Sequence, residues 1–325
     1  MRRTIIDSFA TFLLLPFSLS LSAQDQTVEL LNKYGTFDSW SYRAVKESGI
    51  IGGDTKYLCE FYGDRDTVFT QEPYSAPEGY LWRTNNVMAV VAGITKVSTT
   101  VFPEKRNDGY CARIETRTAK VKAIGIINLE VTCQGALITG SLNEPIRDTK
   151  NPTAKVIYGL PFTGRPRALR FDYKADVGHE VIKGTGFAKL KGMGYPDYPE
   201  IAILLQKRWE DNDGQIHAQR VGTGVMRITE NAPEWINGYR LRVHYGDITS
   251  QPFYEDYMGL NNDPEKAFHA INSQGKDVTV IEDGWAHPMD TPNTLIIKFL
   301  SSCGIPFYGG VGNTLWIDNV TLEMP

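Results

Sequence analysis

The chain has 325 residues, with 34 basic against 38 acidic side chains and a formal net charge of −4, so it lacks the basic excess that nucleic-acid or anionic-membrane partners select. Hydrophobic residues make up 42% of it, enough for one large core, and beyond the first two dozen residues no apolar run approaches the ~20 that a membrane helix needs. Four cysteines, Cys59, Cys111, Cys133 and Cys303, lack the C-x-x-C spacing of a zinc site. In an oxidising compartment they could form up to two disulfides, in three possible pairings, or remain buried thiols.

In chain order, Arg2 and Arg3 precede an apolar run from Phe9 to Leu21 and then Ser22, Ala23, Gln24 and Asp25. That pattern predicts a secretory signal peptide over residues 1–23, cut after Ser22 or Ala23, and an extracytoplasmic protein, periplasmic or secreted to the cell surface. Residues 24–34 form a lead-in to a single domain over 35–325. Within it, period-two alternation recurs at Cys111 to Arg117, at Leu169, Phe171 and Tyr173 against Arg170, Asp172 and Lys174, and at Ile201 to Lys207. Asp213-Gly214 then predicts a hairpin turn, and Leu241, Val243 and Tyr245 alternate with Arg240, Arg242 and His244. Asp263-Pro264-Glu265 before Phe268 and Ile271 predicts a short capped helix. After the strand at Leu295 to Phe299, the chain ends in a strand on which Trp316, Asp318, Val320 and Leu322 are expected to share one face. A carboxylate among those hydrophobes requires backbone donors, a basic partner or a cation. Many strands and one or two short helices, with no internal linker, predict an all-β, antiparallel β-sandwich of jelly-roll type.

Several stretches follow in order: "FDSW" (Phe37 to Trp40), "PEGYLWRTNN" (Pro77 to Asn86), "DGYCARIETR" (Asp108 to Arg117), "GLPFTGRPRALRFDYK" (Gly159 to Lys174), "WINGYRLRVHY" (Trp235 to Tyr245) and "LWIDNVTL" (Leu315 to Leu322). This order resembles the PCMD family, the carbohydrate metabolism domains of secreted and surface proteins, over roughly residues 35 to 323. It resembles more loosely the jelly-roll carbohydrate-binding modules. The "GALITG" stretch (Gly135 to Gly140) departs from the family pattern. The resemblance implies a galactose-binding-like sandwich and a link to glycan use. In related modules an acid on the first and last strands holds a structural calcium, and Asp38 and Asp318 match those places. The alternative is that Asp318 accepts hydrogen bonds from loop amides near Gly312 to Thr314.

Sugars are bound by aromatic faces and by planar polar groups that pair with hydroxyls. Candidate binding residues are therefore Trp82, Thr84 and Asn85 in "LWRTNN", the alternating Arg113 and Glu115 with Arg117, and the loop aromatics Trp285 and Tyr308. The alternatives are a core role for Trp82 and an ordinary solvated ion-pair row for Arg113 and Glu115. A glycoside hydrolase would need paired carboxylates, for which Glu115 and Asp172 are the candidates. No G-x-S-x-G, H-E-x-x-H or phosphate-loop motif occurs, and no catalytic cofactor is expected. Three readings follow. The leading one is a carbohydrate-binding protein that captures oligo- or polysaccharide alongside surface glycan-utilisation partners; the others are a glycoside hydrolase and a surface structural or adhesion scaffold.

Overall fold

The computed structural model describes residues 23–61, 67–74, 76, 79–91, 93–123, 127–147, 155–186 and 188–325. The predicted signal segment lies outside these, except for Ala23. The first element is a helix, Ala23–Tyr34, in the lead-in. Its Val28 and Leu31 face the domain at i, i+3, and Leu31 is buried. Asn32 Oδ1 accepts the Leu322 N–H at 2.9 Å, tying the helix to the last strand. Gly35 ends the connection because a Cβ there would lie 2.1 Å from the Val320 carbonyl oxygen.

The body is the expected all-β sandwich. One sheet has five strands in the order Ala232–Arg242, Ala168–Asp176, Thr314–Glu323, Gly109–Glu115, Val101–Arg106. It packs on a ten-stranded sheet whose middle strands are Thr294–Leu300, Glu200–Glu210 and Ile216–Arg227. Leu169, Phe171, Ala112, Ile114, Leu315 and Ile317 from the first sheet meet Ile201, Ile203, Leu205, Leu295, Ile297 and Phe299 from the second in one core.

The other face of the large sheet is also buried, so alternation there is hydrophobic on both sides. Ala202, Leu204, Val225 and Ile296 pack with Phe268, Ala270 and Val280 in a second core. The cause is topological. From Ile216–Arg227 the pairing runs on to Asp277–Trp285, His269–Ile271, Val156–Tyr158 and Ala136–Leu142, and the last of these pairs back onto Thr294–Leu300. These strands therefore form a closed, barrel-like circuit, completed between Val156–Tyr158 and His269–Ile271 by the single pair Ile157↔His269. Two of its joints, along with the pairing of Ser41–Lys46 with Thr67–Phe69, are parallel, whereas most strand pairs among the described residues are antiparallel.

Two local expectations change. The segment at Asp263 is a turn, and Phe268 enters the strand region at His269–Ile271, because the Asp263 side chain caps the Glu265 N–H and the chain wraps the second core at once. The last strand does not keep one alternation. Asn319 sits at φ 50°, beside a register shift in the pairing with Ala168–Asp176, and this bulge puts Ile317 and Val320 inward and Asp318 outward. Of the two alternatives for the cysteines, the structure has free thiols at all four, with Cys59 and Cys111 buried.

Candidate functional site

A cleft of about 340 Å³ opens at one mouth of the strand circuit. Its floor comes from three adjacent strands. Glu200, Arg227 and Lys298 are register partners across Glu200–Glu210, Ile216–Arg227 and Thr294–Leu300, or lie two residues from being so. Glu200 accepts from Lys298 Nζ at 2.9 Å and from Arg227 Nε at 3.0 Å. Burial opposes its ionisation, but the two cations outweigh that and hold its pKa below the usual carboxylate value. Tyr158 lines the wall nearby, with its phenol pushed up to about 12 by burial and by Glu200. Tyr257 lies against the Arg227 guanidinium, 4.4 Å from ring centroid to Cζ, and Phe268 completes an apolar side.

A second buried group underlies the cleft. Arg220 and Glu282, both 1% exposed, form a bidentate pair, with Nε to Oε1 at 2.7 Å and Nη2 to Oε2. The same carboxylate accepts from Gln206 Nε2 at 2.5 Å and from the Asn261 N–H at 2.6 Å. Burial again disfavours the charge and Arg220 more than compensates, so the Glu282 pKa is lowered. Through Asn261 this pair fixes the 256–267 segment that walls the cleft. Lys266 Nζ then spans to the Cys303 carbonyl oxygen on the opposite wall at 2.7 Å.

The residues singled out in the sequence are not brought together. Trp82 is 2% exposed, packs on Phe37 and Phe299, and donates Nε1–H to the Leu31 carbonyl oxygen at 3.3 Å, so it is core and not a sugar platform. Thr84 is equally buried and bonds the Cys59 carbonyl. Asn85 does border the cleft, with its amide committed to the Gln134 carbonyl oxygen at 2.6 Å and the Ala136 N–H at 2.8 Å. Arg113 and Glu115 lie on the outer side of the five-stranded sheet, where Arg113 pairs with Glu104 and Glu115 at 2.8 Å each. That is the solvated ion-pair row. Trp285 ends its strand beside Arg220, 5.8 Å from ring centroid to Cζ, and Tyr308 lies under Lys183.

Asp172 and Glu115 do not form a catalytic pair: the partners of Asp172 are Arg106 at 2.8 Å, Asn319 and the Gly238 N–H, whereas Glu115 meets Arg113 and Arg117. Asp318 finds the basic partner its position demands in Arg106, Nη1 to Oδ2 at 2.6 Å, and the Arg106 guanidinium also stacks 3.8 Å from the Trp235 ring centroid. Asp38 accepts the Tyr110 N–H at 2.9 Å. Among the described residues no group of three or more His, Cys, Asp or Glu side chains converges as a metal site. Sequence reading missed Glu200, Arg227 and Lys298. Their signal was a single charge beside or inside each apolar run, "EIAILL" and "LIIKFL".

A family model described as "Putative carbohydrate metabolism domain" (PCMD) matches residues 60–323. Among solved structures, a putative glycoside hydrolase from Bacteroides thetaiotaomicron is 18% identical with a TM-score of 0.44, covering 70% of this chain, which spans 57% of that one. A putative glycoside hydrolase from Bacteroides vulgatus is 19% identical with a TM-score of 0.44, covering 78% of this chain and 90% of its own. A putative sugar binding protein from Bacteroides thetaiotaomicron is 11% identical with a TM-score of 0.29, covering 75% and 87%. No curated protein matches.

Proposed function

Because the chain belongs to the PCMD family of carbohydrate metabolism domains, we propose that it is an exported carbohydrate-binding protein and that the cleft at the mouth of the strand circuit holds the saccharide. The observation that carries this reading is the make-up of the cleft floor. Tyr257 and Tyr158 offer apolar surface beside Glu200, Arg227 and Lys298, charged groups already fixed in position by one another. Fixed donors and acceptors next to aromatic faces match the alternation of hydroxyls and C–H faces on a sugar ring. The pre-set ion pairs also reduce the ordering cost of binding.

Binding is favoured over hydrolysis by the state of the deep carboxylates. A hydrolase needs one carboxyl with a raised pKa to protonate the leaving oxygen. Glu200 and Glu282 are both held ionised by adjacent cations, which suits Glu200, the one that lines the cleft, to accept hydrogen bonds from hydroxyls.

The test is a glycan-array screen of residues 24–325 followed by titration calorimetry on any hit, with Tyr257→Ala and Arg227→Gln alongside. Each variant should keep the wild-type melting profile to within a few degrees and lose affinity by about tenfold or more, roughly 1.4 kcal/mol. A hit whose affinity neither variant changes would refute the cleft as the binding site.

A further inference from the structure

At the far end of the strands that build the cleft, Glu200–Glu210 and Ile216–Arg227 run beyond the cover of the five-stranded sheet. Their sandwich-facing side carries Leu205 and Val221 in the core and then continues into the open with Lys207, Trp209 and His217. Trp209 is 42% exposed. Its register partner His217 stacks beside it, ring centroids 5.5 Å apart and planes 15° from parallel. The next strand places Ile281 opposite His217 and leaves it 40% exposed.

This strip is not a loose apolar patch. His217 is clamped at both ring nitrogens, Nδ1 to Asp283 Oδ2 at 2.8 Å and Nε2 to Asp211 Oδ2 at 3.1 Å. Asp211 is itself fixed by the Asp213 and Gln215 N–H groups through Oδ1. Asp283 is the extra residue of a register shift between Ala218↔Glu282 and Gln219↔Gly284, and the irregularity turns its carboxylate onto His217. The hydrogen bond to Asp211, and then that to Asp283, raise the His217 pKa. The exposed indole therefore has a rigid neighbour on one side and carboxylate oxygens at the edge of the strip.

We propose that Trp209, His217, Asp211 and Asp283 form a second carbohydrate-binding platform, separate from the cleft, that takes a pyranose ring within a longer glycan chain. The ring's C–H face would lie on the indole, and its hydroxyls would donate to the outer oxygens of Asp283 and Asp211. A pyranose fits better than a protein partner because the two exposed apolar residues are split by an imidazole held between the Asp211 and Asp283 carboxylates, whereas the centre of a protein interface is depleted in charge. Trp209 lies nine residues along one strand from Glu200 on the cleft floor, about 30 Å at ~3.3 Å each. The platform and the cleft would thus bind separate stretches of one polysaccharide and raise its avidity. This inference rests on the reading of the chain as a glycan binder.

The experiment is native affinity electrophoresis in gels containing β-glucan, α-mannan, xylan or starch, comparing wild type with Trp209→Ala, Trp209→Phe and the cleft variant Tyr257→Ala. Size-exclusion chromatography and thermal melts of each variant accompany it. The expected result is retardation of wild type by at least one polysaccharide, weakened about tenfold in apparent Kd by Trp209→Ala, less by Trp209→Phe, and independently by Tyr257→Ala. Retardation lost in Tyr257→Ala but unchanged in Trp209→Ala would overturn the platform and leave the cleft standing. Retardation lost only in Trp209→Ala would uphold the platform and overturn the cleft. No retardation of wild type in any gel would overturn both, and a change of oligomeric state in Trp209→Ala without a change in retardation would assign the strip to a protein contact instead.

Discussion

Replacing Glu282 by alanine removes the carboxylate that holds Arg220, Gln206 and the Asn261 backbone together. Four donors converge on it: two from Arg220, one from the Gln206 amide and one from the Asn261 backbone. The side chains of the pair are 1% and 0% exposed, so neither water nor another acid can replace the lost acceptor. Removing one partner of a buried pair costs about 3–5 kcal/mol, because the remaining charge stays buried without compensation. At roughly 2–4 °C per kcal/mol for a chain of this order of size, the melting temperature should fall by about 6–20 °C. The double variant Arg220→Met/Glu282→Met should recover much of that, since replacing both charges by apolar groups is close to neutral. Arg113→Ala, in the half-exposed row on the other sheet, should cost no more than about 1 kcal/mol. Differential scanning calorimetry of the four proteins decides the matter. A Glu282→Ala melting point within about 2 °C of wild type, or a double variant no better than the single one, would refute the argument.

Two further expectations concern charge. Glu60 is buried beside Arg43, whose guanidinium is held by Glu144 at 2.7 and 2.8 Å, and burial pushes the Glu60 pKa to about 8. A carboxyl with a raised folded-state pKa binds its proton more tightly in the folded protein, so stability should fall as pH rises from near 4.5 through about 8. Melting curves at pH 6 and 9 should show that loss in wild type and a smaller one in Glu60→Gln. On the outer sheet, Arg106 already pairs with both Asp172 and Asp318, so wild type should melt at the same temperature in calcium and in chelator. Arg106→Met leaves two facing acids and should be destabilised at pH 7 but closer to wild type near pH 4; equal deficits at both pH values would count against this.

The sandwich was legible because period-two alternation is a direct imprint of one buried face, which the strand at Leu169 carries, whereas the strands at Ile201 and Leu295 read as continuous apolar runs because both their faces are buried. Asp318 was misplaced because alternation presumes an unbroken register, and one left-handed residue, Asn319, resets it without any change in composition. Trp82 was misread because a tryptophan flanked by polar residues has the same local pattern in a core as on a surface; what decides is the distant Phe37, Phe299 and Leu31 around it. The cleft was hidden for a related reason. Glu200, Arg227 and Lys298 meet only through inter-strand pairing, and the circuit that encloses their floor closes on one pair, Ile157 with His269, that no local signal announces.

The strand Thr314–Glu323, the last element of the chain, occupies the middle of the five-stranded sheet, between Ala168–Asp176 and Gly109–Glu115. Neither of those neighbours pairs with the other, so without this strand the sheet is two separate halves with open edges. Loop-closure entropy is spent before such distant pairings repay it, which makes folding late and slow relative to synthesis. The open edges of the two halves therefore stay exposed to mispairing until the central strand docks between them.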